Sequence, residues 1–260
     1  VSSSSVLRHD DGPIAILTLA RPERHNAFDA EVVAELRDHF IALASDEQAR
    51  VVVLTGSGAS FCAGADLAWM RSSMQWSHEQ NVADAEALAA MFDAAWNLPK
   101  PLIGRINGPA VGGGAGLVAC CDLAVTTETA RFGFTEVKLG LLPAVIAQYV
   151  VPKIGVSHAR ALFVSGERIT AERAFEIGLI HAITSTQDLD ATVSSIARRM
   201  LTSAPEATAV AKRIVDAIWT MERDAARRFV VEAIATARAG AEGQEGVTAF
   251  LEKRSPRWTS

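Results

Sequence analysis

Cysteine is scarce in this chain of 260 residues: there are three, and two of them, Cys120 and Cys121, are adjacent. Three thiols cannot build a disulfide framework, and a reducing, cytoplasmic setting is the simplest expectation. Long apolar runs are missing as well. The longest uncharged stretch, Ile106 to Cys121, has 16 residues and is broken by glycines, Asn107 and Pro109. A membrane-spanning helix needs about 20, so no membrane association is expected. The start, Val1 to Ser5, has neither a basic n-region nor an apolar h-region, so it does not read as a secretory signal. Basic blocks are absent too. The 25 Lys and Arg against 30 Asp and Glu leave a net charge of −5, which argues against nucleic acid as the main partner.

Several chemical signatures also fail. Gly56-Ser-Gly58 continues to Phe61 where a dinucleotide fingerprint needs glycine, and Gly112 to Gly116 lacks the Gly-Lys-Ser/Thr ending of a phosphate loop. His78-Glu79 is followed by Val82 where a zinc motif needs histidine, and the other histidines are scattered, so no metal is expected. No Gly-x-Ser-x-Gly elbow supports a serine hydrolase.

What is present is material for a substantial core. Hydrophobic residues make up 49% and charged residues 21%, a balance that excludes global disorder. Ile14 to Leu19, Val51 to Thr55 and Leu102 to Ile106 read as strands. Asp122 to Thr126 and Phe132 to Val137 read as two more. Between them Val33, Leu36, Phe40 and Leu43 mark a helix capped by Asp29, and Ser77 with Gln80 has the spacing of a capping box. That rhythm predicts an α/β fold with a mostly parallel sheet. The last third changes to three helical stripes around 193–201, 210–218 and 229–237, then a short helix over Gly246 to Lys253. So few residues cannot bury three apolar faces alone. We therefore expect a core over 1–200 and a helical region over 201–260 that packs on the core or on another subunit.

Two glycine-bearing turns follow strands: Ser60 to Leu67, and Asn107 to Gly116. Carboxyl ends of parallel strands are where such sheets bind ligands, and strand-to-helix turns expose backbone N–H groups that glycine lets a ligand approach. Two such turns can aim two donors at one carbonyl oxygen. Either turn alone is equally explained by tight helix packing.

Taken together, these segments resemble the enoyl-CoA hydratase/isomerase (crotonase) superfamily across nearly the whole chain. The resemblance runs through Arg21-Pro-Glu-Arg-His-Asn-Ala27, Phe61 to Leu67, Asn107 to Gly114, Cys121-Asp-Leu123, Phe132 to Pro143 and Glu245 to Arg254. It implies a spiral of ββα units with a C-terminal helical region that builds homotrimers, often paired into hexamers. It implies an acyl-CoA substrate, with CoA present as part of the thioester and no prosthetic group. The oxyanion donors would be the amides of Ala65 and Gly113, with Glu136 as the catalytic acid and base. CoA would meet Arg24, His25, Ala27, Ala63, Asp66 and Leu67, and Phe250 and Lys253 would reach the CoA of a neighbouring subunit.

The chain departs from the pattern at one position. Two-glutamate hydratases of the family carry a second acid two residues after the glycine triplet, where this chain has Gly116. Single-glutamate members include double-bond isomerases, so isomerisation is a rival expectation, and a crotonase-fold protein that binds RNA or acyl-CoA with little turnover is another. The wording from Glu136 to Val150, and Gly116 itself, is similar to the hydratases of branched glutaconyl-CoA esters, the 3-methyl- and isohexenyl-type. Ala144-Val-Ile-Ala-Gln148 stands where relatives are glycine-rich, so bulk is expected there. A second substrate carboxylate needs a cation or several donors, for which Lys138, Arg71 and Gln148 are candidates. Trp69 and Met70 are candidates for the acyl pocket, with core packing the alternative.

Overall fold

A computed structural model describes residues 4–259; the beginning of the Val1 to Ser5 segment lies outside it. The chain opens with a hairpin, β1 (Val6–Asp11) and β2 (Ile14–Leu19), then α1 (Ala30–Ser45) and β3 (Val51–Gly56). Two helices, α2 (Leu67–Ser73) and α3 (His78–Trp96), lead to β4 (Leu102–Ile106) and the two-residue β5 (Ala110–Val111). Next come α4 (Gly113–Cys120), β6 (Leu123–Thr127), β7 (Arg131–Gly133) and α5 (Ala144–Ser165). After β8 (Arg168–Thr170), α6 (Ala171–Glu176) and β9 (Ala182–Thr184), only helices follow: α7 (Leu189–Met200), α8 (Pro205–Thr220), α9 (Arg223–Ala239) and α10 (Ala241–Glu252).

The strands form two sheets. The larger has the order β1-β2-β3-β4-β6-β9, antiparallel in the hairpin and parallel thereafter; the smaller is β5-β7-β8. Strand β3 is buried along its whole length, as expected for a parallel strand covered on both faces. On one face Leu17, Val52, Leu54 and Ile106 pack beneath α1, α3, α4 and α5 through Leu36, Phe40, Phe92, Leu117 and Val150. On the other face Ile14, Val51, Val53, Ile103 and Val125 meet Leu189, Val193, Ile196 and Ala197 of α7.

Local signals set several boundaries. The Asp29 carboxylate accepts the Val32 N–H, and Ser77 with Gln80 closes a full capping box at α3. The expected strand over Phe132 to Val137 is shorter, because β7 stops at Gly133 and residues 136–139 wind into a 3-10 turn. Its parallel partner β5 has only two residues, and after them the Gly112 N–H takes the Gly133 carbonyl at 2.8 Å, so no ladder remains to extend. The final helix is longer than expected, beginning at Ala241. Gly243 and Gly246 lie inside it, where they lower helix propensity without breaking the turn.

The chain from α8 onward buries little. In α8, α9 and α10 the fully buried residues are Ala217, Ala226 and Ala249. Large apolar side chains stay outside, among them Trp219 at 76% exposure and Phe250 at 83%, together with Val215, Ile218, Ile234 and Leu251. Arg50 ties this region to the core. Its guanidinium donates to the carbonyls of Leu201, Ser203 and Trp258. No helix among the described residues is long and apolar enough to cross a membrane.

Candidate active site

The two glycine turns meet. Val111 N–H donates to the Cys62 carbonyl at 3.0 Å, while Phe61 and Cys62 N–H both donate to Pro109. Asn107 and Asn26 fasten the turns from their sides. Asn107 accepts from Gly56 N–H and donates to Gly58 and Ser60 carbonyls, and the buried Asn26 amide donates to the carbonyls of Ser57 and Ser60. These two asparagines carry no catalytic signature. Asn26 (φ 56°) shares the left-handed backbone common for its residue type, which is the one local sign that it shapes a loop.

Gly64 and Gly112 are the point of closest approach. Both have positive φ, 87° and 55°. A Cβ on Gly64 would lie 2.9 Å from the Val111 carbonyl oxygen and 3.7 Å from Gly112 Cα. Gly64 therefore needs glycine for space as well as for backbone angle, and Gly112 for its backbone angle. The residues that follow them are Ala65 and Gly113. Phe28 pairs with this edge by donating to the Gly64 carbonyl and accepting from Asp66 N–H, both at 2.7 Å. The Ala65 N–H, between those two bonds, is thereby turned away from Phe28. Gly113 is the first residue of α4, where an N–H has no intrahelical acceptor. No acceptor among the described residues takes either amide.

The carboxylate of Glu136 comes to the same place from a third direction. With β7 ending beside Gly112, the 3-10 turn that begins at Glu136 folds its side chain back over that glycine. A Cβ on Gly112 would sit 3.2 Å from Oε1 and 3.9 Å from Gly64 Cα. The second oxygen, Oε2, is buried with no hydrogen-bond partner. Burial raises the Glu136 pKa above the ordinary glutamate value, because the charged form loses solvation that its own backbone N–H only partly replaces. A raised pKa in this position suits a group that accepts and returns a proton.

The segments expected to meet CoA run alongside. Ala63 N–H donates to the His25 carbonyl at 3.0 Å, joining the 23–27 and 63–67 stretches. The His25 ring meets Ser60 Oγ at 3.0 Å, and Ala27 is buried. Asp66 caps α2, accepting from Ala68 and Trp69 N–H, and pairs with Arg24 at 3.0 Å and Arg21 at 3.3 Å. Burial alone would raise its pKa, but the Arg24 bond and the two helix amides outweigh it and hold the carboxyl below its usual range. Leu67 projects outward at 82% exposure.

The acyl-pocket candidates divide. Trp69 is half-buried, and its indole N–H donates to Asp84 on α3, so its polar edge ties α2 to α3. Met70 is half-buried beside it. Arg71, Lys138 and Gln148 stand on three different elements, and none of the three is buried; the Lys138 stem lies against Gly166 at the far end of α5. Phe250 and Lys253 lie at the exposed end of α10, where Lys253 (φ 53°) closes the helix. Ile146, in the segment where bulk is expected, and Phe92 of α3 are buried at Gly116. Two cavities, of about 460 and 540 Å³, lie elsewhere: beneath the α1–β3 corner and among α8–α10. They share no residue with the Gly64, Gly112 and Glu136 cluster. Among the described residues no three His, Cys, Asp or Glu side chains gather as a metal site.

Comparison with known proteins gives the family. Residues 10–260 match the family described as enoyl-CoA hydratase/isomerase. The crotonyl-CoA hydratase of Syntrophomonas wolfei is 30% identical, with 98% of each chain covered. The 1,2-epoxyphenylacetyl-CoA isomerase of Escherichia coli is 31% identical, also over 98% of each chain. The crystal structure of an enoyl-CoA hydratase from Shewanella pealeana superimposes with a TM-score of 0.93 at 37% identity, covering 98% of this chain and 96% of that one. The chain belongs to the enoyl-CoA hydratase/isomerase family and has the crotonase fold.

Proposed function

We propose that this protein is a hydro-lyase that adds water reversibly across the double bond of a 2-enoyl-CoA thioester. The observation that carries the reading is the Glu136 carboxylate, with one oxygen buried and unpartnered and the other against Gly112, beside two untaken backbone amides. The thioester oxygen accepts from Ala65 and Gly113 N–H. Their pull drains electron density from the conjugated double bond and makes Cβ electrophilic. Water attacks Cβ as Glu136 takes its proton, and the electron pair moves to the thioester oxygen as an enolate. Glu136 then returns the proton to Cα. One water is consumed and the carboxylate is regenerated. Each oxyanion donor is worth about 3–4 kcal/mol of the barrier, and a positioned acid–base contributes roughly 10²–10⁴ in rate.

The strips around residues 23–27 and 63–67 would hold CoA. The exposed apolar faces of α8, α9 and α10 support a homotrimer, or a pair of trimers, in which Phe250 and Lys253 approach a neighbour's CoA. A lysine beside a phosphate acts there as a point charge. For the acyl group we propose a branched glutaconyl-type chain. This rests on Gly116 with the bulky Ile146 opposite it.

The single carboxylate also favours a double-bond isomerase as the second reading. A panel of straight-chain and glutaconyl-type enoyl-CoA esters, followed by absorbance and mass, separates the two. Hydration removes the conjugated absorbance and adds the mass of one water. Isomerisation of a 3-enoyl ester creates that absorbance with no change in mass. If no ester in the panel gains water, the hydratase reading is wrong.

A further inference from the structure

We propose that Ile146 is a specificity-determining residue: its side chain fills the space an acid at position 116 would need, so Glu136 works as the site's one carboxylate and acidic acyl groups are tolerated. This deepens the hydratase reading and rests on it.

Gly112 and Gly116 are one turn apart at the start of α4, with Gly116 N–H donating to the Gly112 carbonyl at 3.0 Å. Over the first turn stands the Glu136 carboxylate, 3.2 Å from where a Cβ on Gly112 would be. Over the next stands hydrocarbon. A Cβ on Gly116 would meet Ile146 Cγ2 at 2.4 Å, Ile146 Cβ at 3.0 Å and Phe92 Cε1 at 3.1 Å. The first distance is far inside van der Waals contact, so position 116 accepts no side chain while Ile146 stays in place.

Ile146 has nowhere to go. It is 2% exposed and sits in the first turn of α5, and Phe92 beside it is fully buried. A β-branched side chain on a helix has one strongly preferred rotamer. The helix itself is held one turn further on, where Tyr149 stacks on Phe92 at 5.6 Å and donates its hydroxyl to Asp93 at 2.7 Å. The volume absent from α4 is thus supplied by α5, and neither position changes alone without clash or cavity.

The chemical consequence concerns charge. A carboxylate at 116 would place a second negative group one helical turn from Glu136, close to the reacting carbons. A substrate bearing its own carboxylate would be repelled by both. With Ile146 in that space it meets only Glu136, and the wall behind the acyl group is apolar.

The test has a thermal arm and a kinetic arm. In the thermal arm, Gly116→Ala should lower the melting temperature in the wild-type background, and lower it much less when Ile146→Gly is already present. Equal losses in both backgrounds would overturn the reciprocity. In the kinetic arm, the kcat/KM ratio of glutaconyl-CoA to crotonyl-CoA is compared between wild type and Gly116→Glu/Ile146→Gly. The ratio should fall by at least ~10-fold from charge repulsion. The acid limb of the pH profile should rise as two carboxylates share one site. An unchanged ratio and profile in a folded double variant overturns the specificity claim. A double variant that cannot fold overturns the claim that vacating 146 opens 116. Wild type inert on both esters would sink the hydratase reading, while the thermal coupling, which needs no substrate, would still report on Ile146.

Discussion

Replacing Glu136 by Gln should destroy activity and stabilise the fold at the same time. Glutamine keeps the length and shape of the side chain but cannot carry a proton between water and Cα. Turnover should therefore fall by about 10²–10⁴ or more, while binding of a CoA ester persists. The stability gain comes from removing the charge: glutamine leaves a polar atom at the buried, unpartnered Oε2 position, but never an ionised one. An unsatisfied buried polar group costs about 1–3 kcal/mol, and more when charged. The carboxylate is only partly shielded, so the lower end applies, and the neutral amide recovers about 1 kcal/mol. For a domain of this size that is roughly 2–4 °C in melting temperature. The pH dependence has a definite sign. Burial raises the folded-state pKa, so the native protein holds this proton more tightly than the unfolded chain does. Stability from this group is intact below the ordinary glutamate pKa of about 4.3 and is lost as pH climbs through the raised native value. The advantage of the Glu136→Gln variant should be largest near pH 8 and fade toward about pH 4–5. Thermal unfolding of both proteins at fixed protomer concentration, since assembly shifts melting, measures it alongside an enoyl-CoA assay. A variant that keeps wild-type turnover, or that is less stable than wild type at pH 8, refutes the reasoning.

Asp66→Ala removes the cap of α2 and the partner of Arg21 and Arg24. It should cost about 1–2 kcal/mol and raise KM for CoA esters more than it lowers kcat. Because the Asp66 carboxyl is held below its usual range, its contribution is present above the ordinary aspartate pKa and lost as pH falls through the native one, which an acid titration of wild type against the variant detects. Arg50→Ala orphans three carbonyls at once; we expect a loss of about 2–3 kcal/mol and faster proteolysis near residues 201–203. Burial pushes the Cys62 and Cys121 thiols up to about 12 and raises Cys120 as well, so an alkylating reagent at pH 8 should label none in the native protein and all three after unfolding.

Much of this was written locally. The caps at Asp29 and Ser77, the buried run at 51–56 and the two glycine turns are short-range patterns, because a cap needs only its own first turn and a parallel strand covered on both faces needs only unbroken apolar residues. Glu136, Ala65 and Gly113 were legible through family resemblance and not through any periodicity. Where a partner far along the chain decides, the local reading stops short. Residues 134–137 look like strand, yet β7 ends at Gly133 because β5 is two residues long.

The sequence by itself determined the alternating core, the positions of its turns and a glycine at position 116 in the second of them. Tertiary structure alone raised the Glu136 pKa, since its unpartnered oxygen exists only once burial has stripped water from it. It also decided what fills the space beside Gly116. Gly116 and Ile146 are 30 positions apart and carry no mutual signal along the chain; contact between α4 and α5 makes the absence of a side chain on one the condition for the side chain on the other.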